Sequence, residues 1–170
     1  MNVQDWGAIG EVVSAVAVVV SIVYLSIQIR SNTRATKASA SFDATHSWAT
    51  LNEQSTNWPE GLLEALLRSM KESATWEDFD EITRMKLSLA HRALFQKLEG
   101  QYYLYVYGNL EKDIWKKRSS WAAGLIALPF YSAWWQEECE LSIYSNAFVE
   151  AINAANEVHV RMIGANKDGA

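Results

Sequence analysis

The chain opens with a long apolar segment, after which its pattern changes to that of amphipathic helices. Residues from Val12 to Ile29 carry no charge and are rich in valine. A helix over these residues covers about 27 Å, which is close to the thickness of the hydrocarbon core of a bilayer. The pattern therefore predicts one transmembrane helix near the N-terminal end of the chain.

The charges that flank this segment predict its orientation. No Lys or Arg precedes it, whereas Arg30, Arg34 and Lys37 follow it directly. Because basic residues favour the cytoplasmic side, we expect the N-terminus outside and the remaining chain in the cytoplasm. A cleaved signal peptide would have a basic region before a shorter apolar core. We therefore interpret residues 1–37 as an uncleaved transmembrane anchor with its juxtamembrane helix.

Small and polar residues recur along the anchor in steps of three and four, on one side of the predicted helix. Helices in lipid associate through close backbone approach and interhelical hydrogen bonds, since lipid removes the hydrophobic drive between them. The pattern predicts self-association, or entry into a membrane complex, through this helix-association seam, which consists of Gly7, Gly10, Ser14, Ala17, Ser21, Tyr24 and Gln28.

The same residues allow a second interpretation, a homo-oligomeric channel. Ser14, Ser21 and Gln28 would then line the pore, and Glu11 would form an acidic ring that favours cations. Glu11 could instead reach the lipid headgroups, because an ionisable group is costly among acyl chains. The small residues favour close packing without a lumen, so the channel is the alternative hypothesis.

The rest of the pattern predicts an all-α fold in which the anchor continues as a long cytoplasmic helix packed with a helical bundle. No Gly or Pro lies between Glu11 and Pro59, so we expect one helix from about Trp6 to about Asn52. The bundle is expected at 38–163, with a flexible tail at 164–170. Further helices are predicted at 60–72, 75–107, 110–128, 130–142 and 146–163.

Local signals set the expected helix ends. Pro59 suits the first position of the second helix, and Thr75 with Asp78 resembles a capping box for the third. Gly108 is expected to end the third helix, and Ser145 to cap the last. The third helix is apolar nearly all the way round, which predicts a central position in the bundle.

An uncharged stretch at 119–136 raises the hypothesis of a second span. Gly124, Pro129 and Gln136 make it less apolar than the anchor, so we expect a packed hairpin, which could lie on the membrane. The basic residues before it, with two tryptophans, could contact anionic headgroups or form an ordinary solvated face. This candidate membrane-surface contact comprises Trp115, Lys116, Lys117, Arg118 and Trp121.

Charge and cysteine content exclude some classes of protein. The chain has 15 basic and 20 acidic residues, of which 12 basic and 18 acidic lie after residue 37. Such an acidic domain lacks the basic surface that nucleic-acid phosphates require. The single Cys139 cannot form an internal disulfide, and its acidic neighbours Glu137, Glu138 and Glu140 disfavour the thiolate that a nucleophile needs.

Residues that carry chemistry are sparse. His46 follows Asp43 by three positions, but the chain has no Glu-x-x-His element of a di-iron bundle. His91 and His159 are isolated, which is typical of structural histidines. We therefore expect no catalytic residues, no metal and no cofactor. The eight Trp and seven Tyr predict an aromatic core, with an enzymatic or ligand-binding aromatic pocket as the alternative.

Two groups of residues carry a resemblance. The juxtamembrane residues 28–33 (QIRSNT), together with Phe130 and the pair Trp134-Trp135, resemble an uncharacterised family of bacterial single-pass membrane proteins with a helical cytoplasmic domain. The resemblance implies the bacterial inner membrane as the location and carries no activity. The sequence as a whole favours a non-enzymatic scaffold or accessory subunit that contacts lipid and forms a homo-oligomer or joins a membrane complex.

Overall fold

A computed structural model of the chain describes residues 3–55 and 57–167, with the backbone alone at 3–9, 51, 52, 54, 166 and 167. Over these residues the fold is all-α, without strands, which confirms the predicted fold class. A short 3₁₀ helix at Trp76–Asp78 precedes the third of six α-helices. The α-helices are α1 (Val3–Ser55), α2 (Glu60–Ser69), α3 (Glu81–Val106), α4 (Lys112–Ile126), α5 (Pro129–Glu140) and α6 (Asn146–Lys167).

The chain divides into two units, Met1–Ser39 and Ala40–Ala170, which we call the anchor unit and the bundle unit. The division predicted from the sequence lies between residues 37 and 38. The long first helix is confirmed, and its observed ends lie within three residues of the predicted ones. In the bundle unit its last part is tied to α3, because Gln101 Nε2 donates a hydrogen bond of 3.2 Å to the carbonyl oxygen of the buried Ala44.

The start of α3 differs from the prediction. The capping box of Thr75 and Asp78 forms as expected, but it caps the 3₁₀ helix. Asp80 then adopts an extended backbone and caps α3 itself, since its carboxylate accepts hydrogen bonds from Thr83 N at 3.0 Å and Thr83 Oγ1 at 2.6 Å. Two caps five residues apart therefore divide the predicted helix.

Other helix ends follow from local chemistry. The second helix stops at Ser69, short of the predicted Glu72, and Pro59 is its N-cap residue, not its first helical residue. The predicted stop after α3 is confirmed: Gly108 has φ +72°, and Asn109 N donates to Leu104 O at 2.8 Å, as in a Schellman motif.

The uncharged stretch at 119–136 is not one helix. It comprises the end of α4 and most of α5, and Pro129 is the first residue of α5. Ala122, Phe130 and Trp134 of this stretch are almost completely buried in the bundle unit. The packed hairpin is therefore observed, and α1 alone among the described helices is long and apolar enough to span a membrane.

The last helix begins at Asn146 as predicted, but its cap and its end differ from the prediction. The hydroxyl of Ser145 has no hydrogen-bond partner among the described residues, so this side chain does not form the predicted cap. Its backbone N–H instead donates to Glu99 Oε1 of α3 at 2.7 Å. At the other end α6 continues through Gly164 to Lys167, beyond the predicted end near Ile163, and residues 168–170 of the predicted tail lie outside the described chain.

The core of the bundle unit is aromatic, and α3 contributes one face to it. Its buried residues recur every three or four positions and are Leu87, His91, Phe95, Leu98 and Gln101. Ile82, Met85 and Leu89 of the same helix are exposed, so the expectation of a helix buried all round is wrong for its first half. Phe95 packs against Trp134 with ring centroids 5.0 Å apart, which confirms the predicted aromatic core.

An ion pair between the partly exposed Arg92 and the buried Glu138 joins α3 to α5. Glu138 is 1% exposed and accepts two hydrogen bonds from Arg92, one from Nε at 2.8 Å and one from Nη2 at 2.6 Å. Ser88 Oγ also donates to Glu138 at 3.4 Å and accepts from Trp134 Nε1 at 3.1 Å. These hydrogen bonds offset the desolvation cost of burying the Glu138 carboxylate.

We expect Arg92→Leu to lower the free energy of unfolding by about 3 kcal/mol, because the Glu138 carboxylate stays buried after losing its counter-charge. Urea unfolding of the full chain in detergent micelles, followed by Trp fluorescence, measures this loss. Arg161→Leu is the control, since Arg161 pairs with Glu157 in an exposed bridge. It should change the free energy by less than about 0.5 kcal/mol. Equal losses in both variants would contradict the assigned importance of the buried pair.

Candidate functional site

The apolar surface of α1 is the most unusual feature of the anchor unit. Twelve large apolar side chains from Val12 to Ile29 are each more than half exposed. Removing this surface from water is favourable by on the order of 10 kcal/mol, which is comparable with the net stability of a whole domain. A non-aqueous environment or a covering partner is therefore energetically required for this segment.

The predicted helix-association seam lies on this helix. Of its members, Gly7 lies outside the residues whose side chains are described, whereas Gly10, Ser14 and Ala17 are exposed. Two of its polar side chains are satisfied within the helix: Ser21 Oγ donates to Ala17 O at 2.8 Å, and Gln28 Nε2 donates to Tyr24 Oη at 2.8 Å. These bonds join seam residues to one another, one turn apart.

Glu11 lies in α1 immediately before the uncharged run, and its side chain is exposed. At the other end, Thr33 Oγ1 donates to Ile29 O at 2.9 Å. The Thr33 hydroxyl, which lies beyond the run, therefore bonds to the carbonyl four residues earlier, as the Ser21 hydroxyl does. The charged residues thus lie at the two ends of a run of 18 residues that has few polar side chains.

The candidate membrane-surface contact is only partly available for lipid. Trp115 is 8% exposed and packs against Tyr102 and Tyr105, so its predicted role in headgroup contact is wrong. The guanidinium of Arg118 lies 4.3 Å from the ring centroid of Trp48, and burial lowers its pKa. Three of the predicted residues remain exposed at the surface, and they are Lys116, Lys117 and Trp121.

The histidines do not form a metal site. Among the described residues, no group of three or more His, Cys, Asp or Glu side chains could hold a metal ion. His46 is exposed and its ring stacks on Phe42, with centroids 5.8 Å apart. The ring of His159 lies 3.4 Å from the position that a Cβ atom of Gly124 would occupy, so the glycine allows α6 to approach α4 closely.

His91 is a buried, neutral histidine. Its Nδ1 atom lies 2.6 Å from Leu87 O, and because a carbonyl oxygen accepts, Nδ1 carries the proton. Tyr131 and Trp134 pack edge-on against the ring, with centroids 4.6 Å and 5.8 Å away. Burial lowers the pKa of His91 from 6.5 to about 4, although the bond to Leu87 opposes this shift. The ring is therefore uncharged at neutral pH.

Cys139 has the predicted disfavoured thiolate, for a cause that differs in part. Burial is the larger reason for its raised pKa, and Glu138 is the smaller one. The predicted cause was charge alone, from Glu137, Glu138 and Glu140. A thiol of this kind is a poor nucleophile at neutral pH.

Sequence reasoning did not find the polar contacts of the core. Arg92 and Glu138 are 46 residues apart, and no periodic or local signal joins them. The same holds for Ser69, whose hydroxyl lies 2.8 Å from the hydroxyl of Tyr131. The indole of Trp135 is also paired, since its Nε1 donates to Asn153 Oδ1 at 2.9 Å.

Comparison with known proteins adds no assignment. Family models, curated proteins and solved structures give no match to this chain. The resemblance to bacterial single-pass membrane proteins therefore stays a prediction.

Acidification should destabilise the bundle unit through His91. The unfolded side chain takes up a proton below pH 6.5, whereas the folded one does so only near its pKa of about 4. Stability is therefore lost as the pH falls between these values, by about 3 kcal/mol in total. His91→Asn retains a donor for Leu87 O and removes the titration. Unfolding measured across this pH range should be less pH-dependent in the variant, and an unchanged slope would contradict the buried neutral state.

Proposed function

We propose that this chain is a membrane-anchored helical scaffold or accessory subunit, which self-associates or joins a membrane complex through its transmembrane helix. The observation that carries the proposal is the apolar surface of α1, on which twelve large side chains from Val12 to Ile29 are each more than half exposed. Lipid covers most of this surface in the proposal. A partner helix covers the side that consists of small residues.

The charges around α1 support an inner-membrane location with the bundle unit in the cytoplasm. The basic residues Arg30, Arg34 and Lys37 follow the apolar run, and none precedes it. Retention of basic flanks in the cytoplasm then places residues 38–163 inside and the N-terminus outside. The single cysteine of the chain is compatible with a reducing compartment.

The chemistry of the seam favours packing over a water-filled lumen. Ser21 bonds to the helix backbone and Gln28 to Tyr24, so each has a hydrogen bond that needs no water. Gly10 and Ala17 add no bulk, which allows a second backbone to approach closely. A homo-oligomeric channel would instead require Ser14, Ser21 and Gln28 to face water. It is the alternative proposal, and a conductance measurement would reveal it.

Two leucine substitutions on adjacent positions test the seam. Ser21→Leu places a bulky group at the proposed contact, whereas Val20→Leu lies on the proposed lipid face, and both positions are exposed. We expect Ser21→Leu to weaken association about fivefold, because helix contacts in membranes contribute about 1 kcal/mol each. Val20→Leu should have little effect. The measurement is the signal of a split reporter that is active only in the cytoplasm, fused after residue 170.

The same reporter separates two ways in which the proposal can fail. Equal effects of Ser21→Leu and Val20→Leu would contradict the assigned face of the helix. A reporter found intact on the outer side of the membrane would contradict the orientation. Expression of each variant must be matched by immunoblot, so that a weaker signal reflects association and not abundance.

A further inference from the structure

The hairpin between α3 and α4 has an apolar tip, which consists of Val106, Tyr107 and Gly108. Residues 100–110, which lead to and form this hairpin tip, carry no charge. Tyr107 is 73% exposed and Val106 is 53% exposed, so Tyr107 is more exposed than any large apolar side chain from Val12 to Ile29. A turn that faces water usually has polar residues. The hairpin tip therefore suits a less polar environment than water.

Aromatic contacts hold the hairpin tip in position. Tyr107 stacks on Tyr103 with ring centroids 6.3 Å apart, and Tyr103 packs against Tyr102 at 5.4 Å. Tyr102 in turn packs against the buried Trp115 of α4. Gly108, with φ +72°, supplies the left-handed conformation that the turn requires. The exposed ring of Tyr107 is therefore the last of a row of rings that begins in the core.

The hairpin tip lies at the end of the bundle unit where α1 enters it. Gln101 of α3 bonds to Ala44 of α1, whereas Ala90 of α3 lines one cavity with Ser55 of α1. The two helices are therefore antiparallel within this unit. From Gln101 to Val106 α3 rises about 8 Å, and Ala44 lies about 6 Å after the first residue of the unit. The hairpin tip is thus level with the beginning of the bundle unit.

The beginning of the bundle unit is close along the chain to the apolar run. Ala40 follows Ile29 by eleven residues. A helical connection of this length covers about 17 Å, and the headgroup layer of one leaflet is about 6 Å thick. A membrane-spanning helix is tilted by about 20° on average, which lowers one side of an attached domain towards the lipid. The exposed side chain of Tyr107 extends the reach of the hairpin tip further.

We propose that the hairpin tip inserts into the headgroup layer of the bilayer that holds α1. Tyrosine suits this layer, because its ring packs on apolar groups while its hydroxyl bonds to headgroups or water. The inference rests on the proposed anchoring of α1 in a membrane. Since the anchor keeps the hairpin tip at a high effective concentration near the lipid, a weak contact suffices. The tip is uncharged, so the contact requires no anionic lipid and is insensitive to salt.

Spin-label accessibility in nanodiscs of phosphatidylcholine tests the contact with the full chain. Cys139→Ser removes the single thiol, and Val106→Cys, Ile82→Cys or Val20→Cys then supplies one site for the label. Ile82 is the matched control, since it is 67% exposed in the first turn of the same helix. We expect the label at Val106 to be relaxed more by oxygen, which dissolves in lipid, than by a water-soluble nickel chelate. The label at Ile82 should show the reverse.

Tyr107→Asp should abolish the preference for oxygen at Val106, because a carboxylate favours water over the headgroup layer. Tyr107→Ser replaces this variant if circular dichroism shows that it does not fold. The preference for oxygen in the parent chain should persist in high salt. A preference lost in high salt, or unchanged in the folded Tyr107 variant, would overturn the proposed contact.

The label at Val20 separates this contact from the anchor on which it rests. A preference for nickel at Val20 would contradict both. Preference for oxygen at Val20 with preference for nickel at Val106 would overturn the contact alone. Low accessibility to both reagents at Val106 would also overturn it, since that result indicates cover by protein, such as a second copy of the chain. Equal preference for oxygen at Val106 and Ile82 would contradict the assignment of the contact to this end of α3.

Discussion

The apolar surface of α1 is the constraint on which the rest of the structure depends. Each large apolar side chain from Val12 to Ile29 is more than half exposed along a helix that has neither Gly nor Pro after Gly10. Water is an unfavourable solvent for such a surface, because its transfer free energy is comparable with the stability of a domain. In the proposed arrangement, lipid on most sides and a second helix along the small residues together remove this cost.

The bundle unit differs from the anchor unit, because it buries polar groups within an aromatic core. Arg92 pairs with Glu138, Ser88 joins that pair to Trp134, and the hydroxyls of Ser69 and Tyr131 bond to each other. Such contacts are specific in direction, so they fix how the helices pack. A few buried polar atoms lack a partner among the described residues, and they include Trp48 Nε1, Tyr144 Oη and Asn156 Oδ1.

Most of the helices could be predicted from the sequence, whereas the contacts between them could not. The absence of Gly and Pro between Glu11 and Pro59 predicted the long first helix, and Gly108 predicted the end of α3, since both are local properties. The cap at Asp80 was not predicted, because the capping box of Thr75 and Asp78 directly before it already indicated the start of a helix. The burial of Trp115 was also missed: a tryptophan beside lysines suits a membrane surface, and only tertiary packing against Tyr102 places it in the core.

The mass of the particle extracted in nanodiscs, measured by native mass spectrometry with its copurifying components identified, tests the central claim most directly. The account predicts a defined oligomer of this chain or a complex with other membrane proteins, because the seam requires a partner helix. A particle that contains a single copy of the chain and no other protein would contradict the assignment of the seam. It would leave lipid as the only cover of α1.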